Sequence, residues 1–325
     1  MSAAIGGYFG LAMPAASTQR YAEAQYFQSA RACFYALLQK GRPKRVWLPF
    51  YNCDAMLGPL EALGIEYAFY SINDDFSVAE SVELASGEWL VYVNYFGLCD
   101  LQQADVLQRF NPQQVIFDHA QAYFSPAKEC LATLYSPRKF FGVPDGGLLI
   151  SRLKVEQTPA DEEASHRRMA HLLRRFADSA EAGYADYQVA EESLEVFDAS
   201  EMSLLSRRLL ACADSDEVMA SRNQNFRMLH EALAEHNALA FDLSALRGPL
   251  CYPFLNKENE TVRQRMLSKK VYSARYWNEC QARCAEGSRE LALSRLLLPL
   301  PCDQRYRAEQ MQYMIANVKK GLSGD

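Results

Sequence analysis

The sequence has no apolar run approaching the ~20 residues that a membrane-crossing helix needs. It has nine cysteines but no Cys-x-x-Cys pair. An odd number at scattered positions fits a reduced, cytoplasmic chain and not a disulfide scaffold. Cys280 and Cys284 stand one helical turn apart, a spacing that suits a helix face more than a zinc knuckle. The five histidines are dispersed and form no His-Glu-x-x-His, so metal catalysis is not expected. Acidic residues outnumber basic ones, 40 to 34, and the net charge of −6 argues against a broad nucleic-acid footprint. The opening Met1 to Gly7 lacks a basic start and an apolar core, so it does not read as a signal peptide. Repeats and low-complexity tracts are also missing.

What is present is a chain of 325 residues with ordinary globular composition, long enough for two domains. Residues 1–17 read as an irregular arm rich in glycine. A helix is expected from Ser17 or Thr18 to Gln39, stopped by Gly41 and Pro43. Apolar runs then recur at 46–50, 67–70, 89–93, 114–117, 131–135 and 147–151, the first four separated by helical or loop segments. This alternation predicts an α/β domain with a mostly parallel sheet over residues 18–235. Within it, 166–177 reads as helix, 179–200 as a loop-rich excursion, and 203–212 and 218–236 as helices. Shorter runs at 238–243, 250–255, 271–272 and 296–300, with helices at 260–267 and 307–320, predict a small α+β domain over 236–325.

The chemistry concentrates in three stretches. Phe117-Asp118-His119-Ala120-Gln121 ends an apolar strand on a carboxylate, Tyr135-Ser136-Pro137-Arg138-Lys139 ends another on a lysine, and Pro144-Asp145-Gly146-Gly147 follows. In open parallel sheets, ligands gather outside the carboxyl ends of the strands. Together these groups suit pyridoxal phosphate (PLP). Asp118 would hold the pyridinium nitrogen, Lys139 would form the Schiff base, and hydroxyl and backbone N–H groups would take the phosphate. The bland alternatives are a strand-end Asp capping the next turn and a solvated surface lysine.

Other stretches weigh less. Ser29-Ala30-Arg31-Ala32 would bind phosphate at a helix N-terminus, but the expected helix begins earlier, which favours packing. Asn94-Tyr95-Phe96-Gly97 and Pro49-Phe50-Tyr51-Asn52-Cys53 also end strands. The second could offer a ring to a cofactor, although aromatics are more often core. The arginines of 166–177 read as a solvated face balanced by Asp161, Glu162 and Glu163. Cys53 and Cys99 have no adjacent base to make a thiolate nucleophile.

In this order the residues resemble the DegT-like sugar aminotransferases, PLP-dependent enzymes of fold type I. The resemblance runs over about residues 20–320 and is dense over 29–147. It places Ala30-Arg31 at the phosphate turn and Asn94-Tyr95-Phe96-Gly97 at the family's His-x-x-Gly turn. It makes Asp118 the pyridinium partner, Gln121 a contact to the ring face or its hydroxyl, Ser136 a phosphate ligand and Lys139 the Schiff-base lysine. Leu298-Pro299-Leu300-Pro301 and the helix after it resemble the family's closing segment. The pattern departs at Asn94, where the family has His, and at Cys53, where it often has an aromatic. The Gly-Tyr-Asn-x-Arg segment through which a neighbouring subunit reaches the cofactor is missing; Val196-Phe197-Asp198 lies near its place.

The resemblance implies amino transfer from glutamate to a nucleotide-linked keto sugar for surface polysaccharide, by a cytoplasmic homodimer with a shared site. Two rival readings are a PLP enzyme of other chemistry, such as a sugar dehydratase, and a cofactor-free scaffold of the same fold. Lys139 argues against the dehydratases, which usually carry His there.

Overall fold

The computed structural model describes residues 6–15, 20–79 and 81–324. Its main body is a seven-stranded sheet. The strands are β1 (Gln25–Phe27), β2 (Arg45–Pro49), β3 (Glu66–Tyr70), β4 (Glu88–Val93), β5 (Val115–His119), β6 (Ala132–Tyr135) and β7 (Gly147–Ser151), in spatial order β1-β7-β6-β5-β4-β2-β3. β2 to β6 run parallel, whereas β7 pairs antiparallel with β6 and β1 antiparallel with β7. Strands β4 and β5 are buried along their whole length, as expected of a sheet covered on both faces. The helices α1 (Ala30–Gly41), α2 (Leu57–Leu63) and α3 (Asp100–Arg109) connect this part of the chain.

The first helix corrects the sequence expectation. Ser17 and Thr18 lie outside the described residues, but the segment before Ser29 is turn and strand, and the helix begins at Ala30. Ser29 is extended, and its Oγ accepts the Ala32 N–H at 3.0 Å, capping the new helix. Strand β1 forms because Gln25, Tyr26 and Phe27 pair with Leu149, Leu148 and Gly147. Gly147 is required at that junction: a Cβ there would stand 2.2 Å from the Ser29 carbonyl carbon and oxygen.

Downstream come α4 (Glu162–Arg168), α5 (Ala170–Ala177), α6 (Tyr184–Glu192), α7 (Leu204–Ala211) and the long α8 (Ser215–Leu233). The helix expected over 166–177 is thus two helices, broken at Met169, and the expected loop at 179–200 contains α6. The second unit has β8 (Cys251–Leu255), α9 (Asn259–Ser268), α10 (Arg289–Leu296), β9 (Leu297–Pro301) and α11 (Ala308–Ser323). β8 and β9 form an antiparallel pair. The runs at 238–243 and 271–272 do not form strands, and α10 was not anticipated. Phe226, Leu229 and Leu233 of α8 share one core with Tyr252, Phe254, Leu298, Leu300 and Met314. Among the described residues no helix is long and apolar enough to cross a membrane.

Candidate active site

The sheet register brings the sequence candidates to one edge. Tyr135 pairs with His119, Asp118 with Val93, and Phe27 with Gly147, so the ends of β1, β4, β5 and β6 and the start of β7 lie together. Asp118 ends up 8 % exposed, with Oδ1 accepting the Ala120 N–H at 2.7 Å. Burial pushes its pKa up, and the Lys139 ammonium opposes that shift. Lys139 is exposed, on the short helical turn Pro137–Lys139 that Ser136 introduces. Cys53, at the end of β2, feels the charges of both Lys139 and Arg31, while burial holds its thiol above the usual range. Asp118, Lys139, Cys53 and Arg31 therefore share one electrostatic neighbourhood, in which Cys53 is a protonated thiol and not a nucleophile.

Gln121 is 1 % exposed; its Oε1 accepts the Phe96 N–H at 3.0 Å, while its Nε2 finds no partner. Ser136 is buried beside Lys139, and its hydroxyl does not cap the turn. Ala30 and Arg31 form the first turn of α1, the position that suits an anion. Arg31 also donates from Nη1 to the Leu194 carbonyl at 2.8 Å, and its Nε is buried without a partner. Asn94 stands at the site's edge, but its side chain turns inward. Its Nδ2 donates to Asp100 at 3.0 Å and Ser125 at 3.2 Å, and its Oδ1 accepts the Cys99 N–H at 2.9 Å. The structure gives Asn94 a bracing role and does not bring its amide to the other candidates.

Several neighbours are locked into structure. Asp145 accepts the Ser203 N–H at 3.1 Å, pinning the Gly146-Gly147 turn to the start of α7. His119 points away from Asp118 along the strand alternation, and its Nε2 meets Gln103 Oε1 at 2.7 Å. Burial pushes its pKa down to about 3, so the ring is neutral. Tyr51 is fully buried against Tyr95 and Trp277, so its ring is not free for a cofactor, and half-buried Phe50 stacks on Phe69. Asp198 accepts from Gln28 Nε2 at 2.6 Å, and Phe197 covers Gly58 within the same chain.

Sequence reasoning missed two features. Asn52 is 2 % exposed; its Oδ1 accepts the Cys53 N–H at 2.8 Å, and its Nδ2 has no partner. Its place after the end of β2 was the signal in the sequence. The second is a cavity of about 920 Å³ between the Arg138–Gly142 segment, α5 and the second unit. Of the sequence candidates, Lys139 alone lines it; Asp118 does not.

The donor set fits PLP. A buried carboxylate with a raised pKa gains from a cationic ring nitrogen, Gln121 carries an unused buried donor, and a helix N-terminus faces the same edge. No family model and no curated protein matches the chain. Solved structures do. A DegT DnrJ EryC1 StrS aminotransferase from Brucella abortus superposes with a TM-score of 0.63 at 14% identity, covering 93% of this chain and 86% of that one. Sugar aminotransferase CalS13 from Micromonospora echinospora gives 0.62 at 16% identity, over 92% and 87%. PseC of Helicobacter pylori, an aminotransferase involved in the biosynthesis of pseudoaminic acid, gives 0.59 at 14%, over 93% and 87%. The fold is thus that of the fold type I PLP-dependent transferases. More narrowly, it is the arrangement found in these sugar aminotransferases.

Proposed function

We propose that the chain is a PLP-dependent aminotransferase that passes an amino group from glutamate to a nucleotide-linked keto sugar, for surface polysaccharide. The observation that carries this reading is the buried Asp118 carboxylate within electrostatic reach of Lys139, at the carboxyl edge of a fold type I sheet. Lys139 would hold PLP through its amine and Asp118 would face its pyridine nitrogen. Gln121 would meet the ring or its hydroxyl, and Ser136 with the first turn of α1 at Ala30-Arg31 would take its phosphate. When bound, PLP supplies an electron sink for the carbanion left at the donor's Cα. Lys139 Nζ would be the group that takes the proton from the donor's Cα and returns it on the acceptor's side of the reaction. Asp118 would favour a positive charge placed opposite it.

The setting we propose is a cytoplasmic homodimer, with residues 18–235 as the cofactor unit and 236–325 as the smaller one. The test is an absorbance spectrum after incubation with PLP and desalting. We expect a retained yellow band that borohydride fixes in the wild type and that Lys139→Ala lacks. Colourless wild-type protein would turn the reading toward a scaffold that kept the fold.

A further inference from the structure

Lys139 is exposed, but the residue after it is buried, and the second unit holds that residue in place. The Phe140 carbonyl accepts a hydrogen bond from Gln304 Nε2 at 2.7 Å. Gln304 is itself set by Arg222, whose Nε donates to its Oε1 at 2.9 Å. The same guanidinium lies 4.6 Å from the Phe140 ring centre. Arg222 therefore reaches Phe140 twice, over its ring and by way of its carbonyl.

Arg222 also reaches toward the strand ends of the sheet. Its Nη1 donates to the carbonyls of Pro249 at 3.0 Å and Leu250 at 3.2 Å. The Leu250 N–H donates to the Phe96 carbonyl at 2.8 Å, and the Phe96 N–H donates to Gln121 Oε1 at 3.0 Å. Phe96 has a φ of 59°, a left-handed conformation that a bulky residue keeps only where its surroundings hold it. Gln121 holds its N–H and the second unit holds its carbonyl. A continuous run of hydrogen bonds thus joins the Lys139 turn to Gln121, and it passes through one side chain on α8.

That side chain is costly to bury. Arg222 is 2 % exposed, and the oxygens it donates to are all neutral. A buried guanidinium stays charged, and where only volume needs filling an apolar side chain serves as well or better. No apolar residue can donate from one rigid plane to Gln304, Pro249 and Leu250 together.

We propose that Arg222 is a positioning residue for the cofactor edge: its guanidinium fixes the Lys139 turn, through Gln304 and Phe140, relative to Gln121, through Leu250 and Phe96. The inference rests on the transaminase reading for the roles of Lys139 and Gln121, while the coupling itself needs no cofactor. An amine on a short turn keeps its reach only if the turn is fixed, because a displacement of ångström size at a reacting group is costly. The second unit thereby helps to set an amine that belongs to the sheet.

The first arm of the test is hydrogen–deuterium exchange of the full chain without PLP, read by mass spectrometry. The Lys139, Phe140 and Phe141 N–H groups close the turn by donating to the Ser136 and Pro137 carbonyls, so their exchange reports its opening. Gln304→Ala shortens a half-buried side chain and leaves Arg222 in place. We expect it to speed exchange over 138–142 by about fivefold and to leave the Phe96 and Leu250 amides unchanged. Arg222→Lys keeps the charge and loses the planar fork, and should speed exchange at both places by about tenfold. Arg227→Ala removes an exposed guanidinium on the same helix, with its bond to the Leu243 carbonyl, and should change neither. Unchanged exchange of the turn in Gln304→Ala and Arg222→Lys would overturn the proposal, and so would an equal rise in Arg227→Ala. The second arm loads the same variants with PLP and compares the yellow band with the total PLP bound. A displaced amine lowers the band per PLP bound, whereas loss of fold lowers both together. We expect the former in Gln304→Ala, and a band per PLP equal to that of the wild type would overturn the positioning role. A colourless wild type would instead sink the transaminase reading, and the exchange arm would still decide the coupling.

Discussion

Asp118 costs the empty protein something. Its carboxyl pKa is raised by burial, so the protonated form suits the fold, and that contribution is lost as pH rises through the folded-state value. A cation facing the carboxyl would offset that cost by favouring its charged form. Asp118→Asn keeps an acceptor for the Ala120 N–H and removes the charge. We expect its apo form to melt at or above the wild-type temperature at pH 7 while PLP is no longer retained after desalting. A lower apo melting temperature would mean that the charge serves the fold instead. His119 shows the opposite sign. Its folded pKa of about 3 lies below the ordinary value of 6.5, so the unfolded chain takes up a proton that the folded one refuses. Stability from this residue is therefore full above pH 6.5 and falls by about 1.4 kcal/mol per unit as pH drops toward 3. Urea unfolding at pH 7, 6 and 5 should show that slope, and His119→Gln should flatten it. Asp118 and Lys139 were candidates from the sequence because they follow apolar strands whose ends mark ligand edges, whereas Gln121 entered only through the family resemblance. Arg222 was not a candidate, since a lone arginine on a helix looks like any solvated charge until its surroundings are known. Asn94 differs: the resemblance placed it at the cofactor turn, but its amide is spent on Asp100, Ser125 and Cys99.

Among elements, the strands buried on both faces were legible because continuous apolar runs have few other uses; β4 and β5 are the clearest. Strand β1 was not, because three residues become a strand only through their ladder with β7, which no local pattern encodes. The direction of β7 was equally hidden. The Ser136–Gly146 turn has no crossover helix, so the chain must return antiparallel. Helix α6 escaped notice because it buries little beyond Ala190, leaving Tyr184, Tyr187 and Val189 exposed and without an apolar face to read. The start of α1 matters most for function, because strand β1 delivers Ser29 as its cap beside Gly147. Ser29→Ala should cost about 1 kcal/mol of stability through the lost cap. We expect it also to weaken PLP retention, since the same turn is the proposed phosphate seat. Denaturant midpoints with and without PLP would separate the two effects, and a stability loss with unchanged retention would remove the phosphate from that turn.

At the scale of the molecule, the sheet carries the cofactor-side candidates, and the second core, built around α8, β8, β9 and α11, supplies much of the other wall of the cavity. Phe226 is fully buried in that second core, against Phe241 and Tyr252. Phe226→Ala should cost about 3–5 kcal/mol, seen as a lower denaturant midpoint. It should loosen the cavity wall while leaving Asp118 and the Lys139 turn in place on the sheet, so the yellow band should survive under native conditions. The central claim is that Lys139 is the amine that carries PLP. Its most direct test is peptide mass spectrometry of PLP-loaded, borohydride-reduced protein. We predict a single pyridoxyl-phosphate adduct, on the peptide containing Lys139. An adduct on a different lysine, or none, would contradict the account.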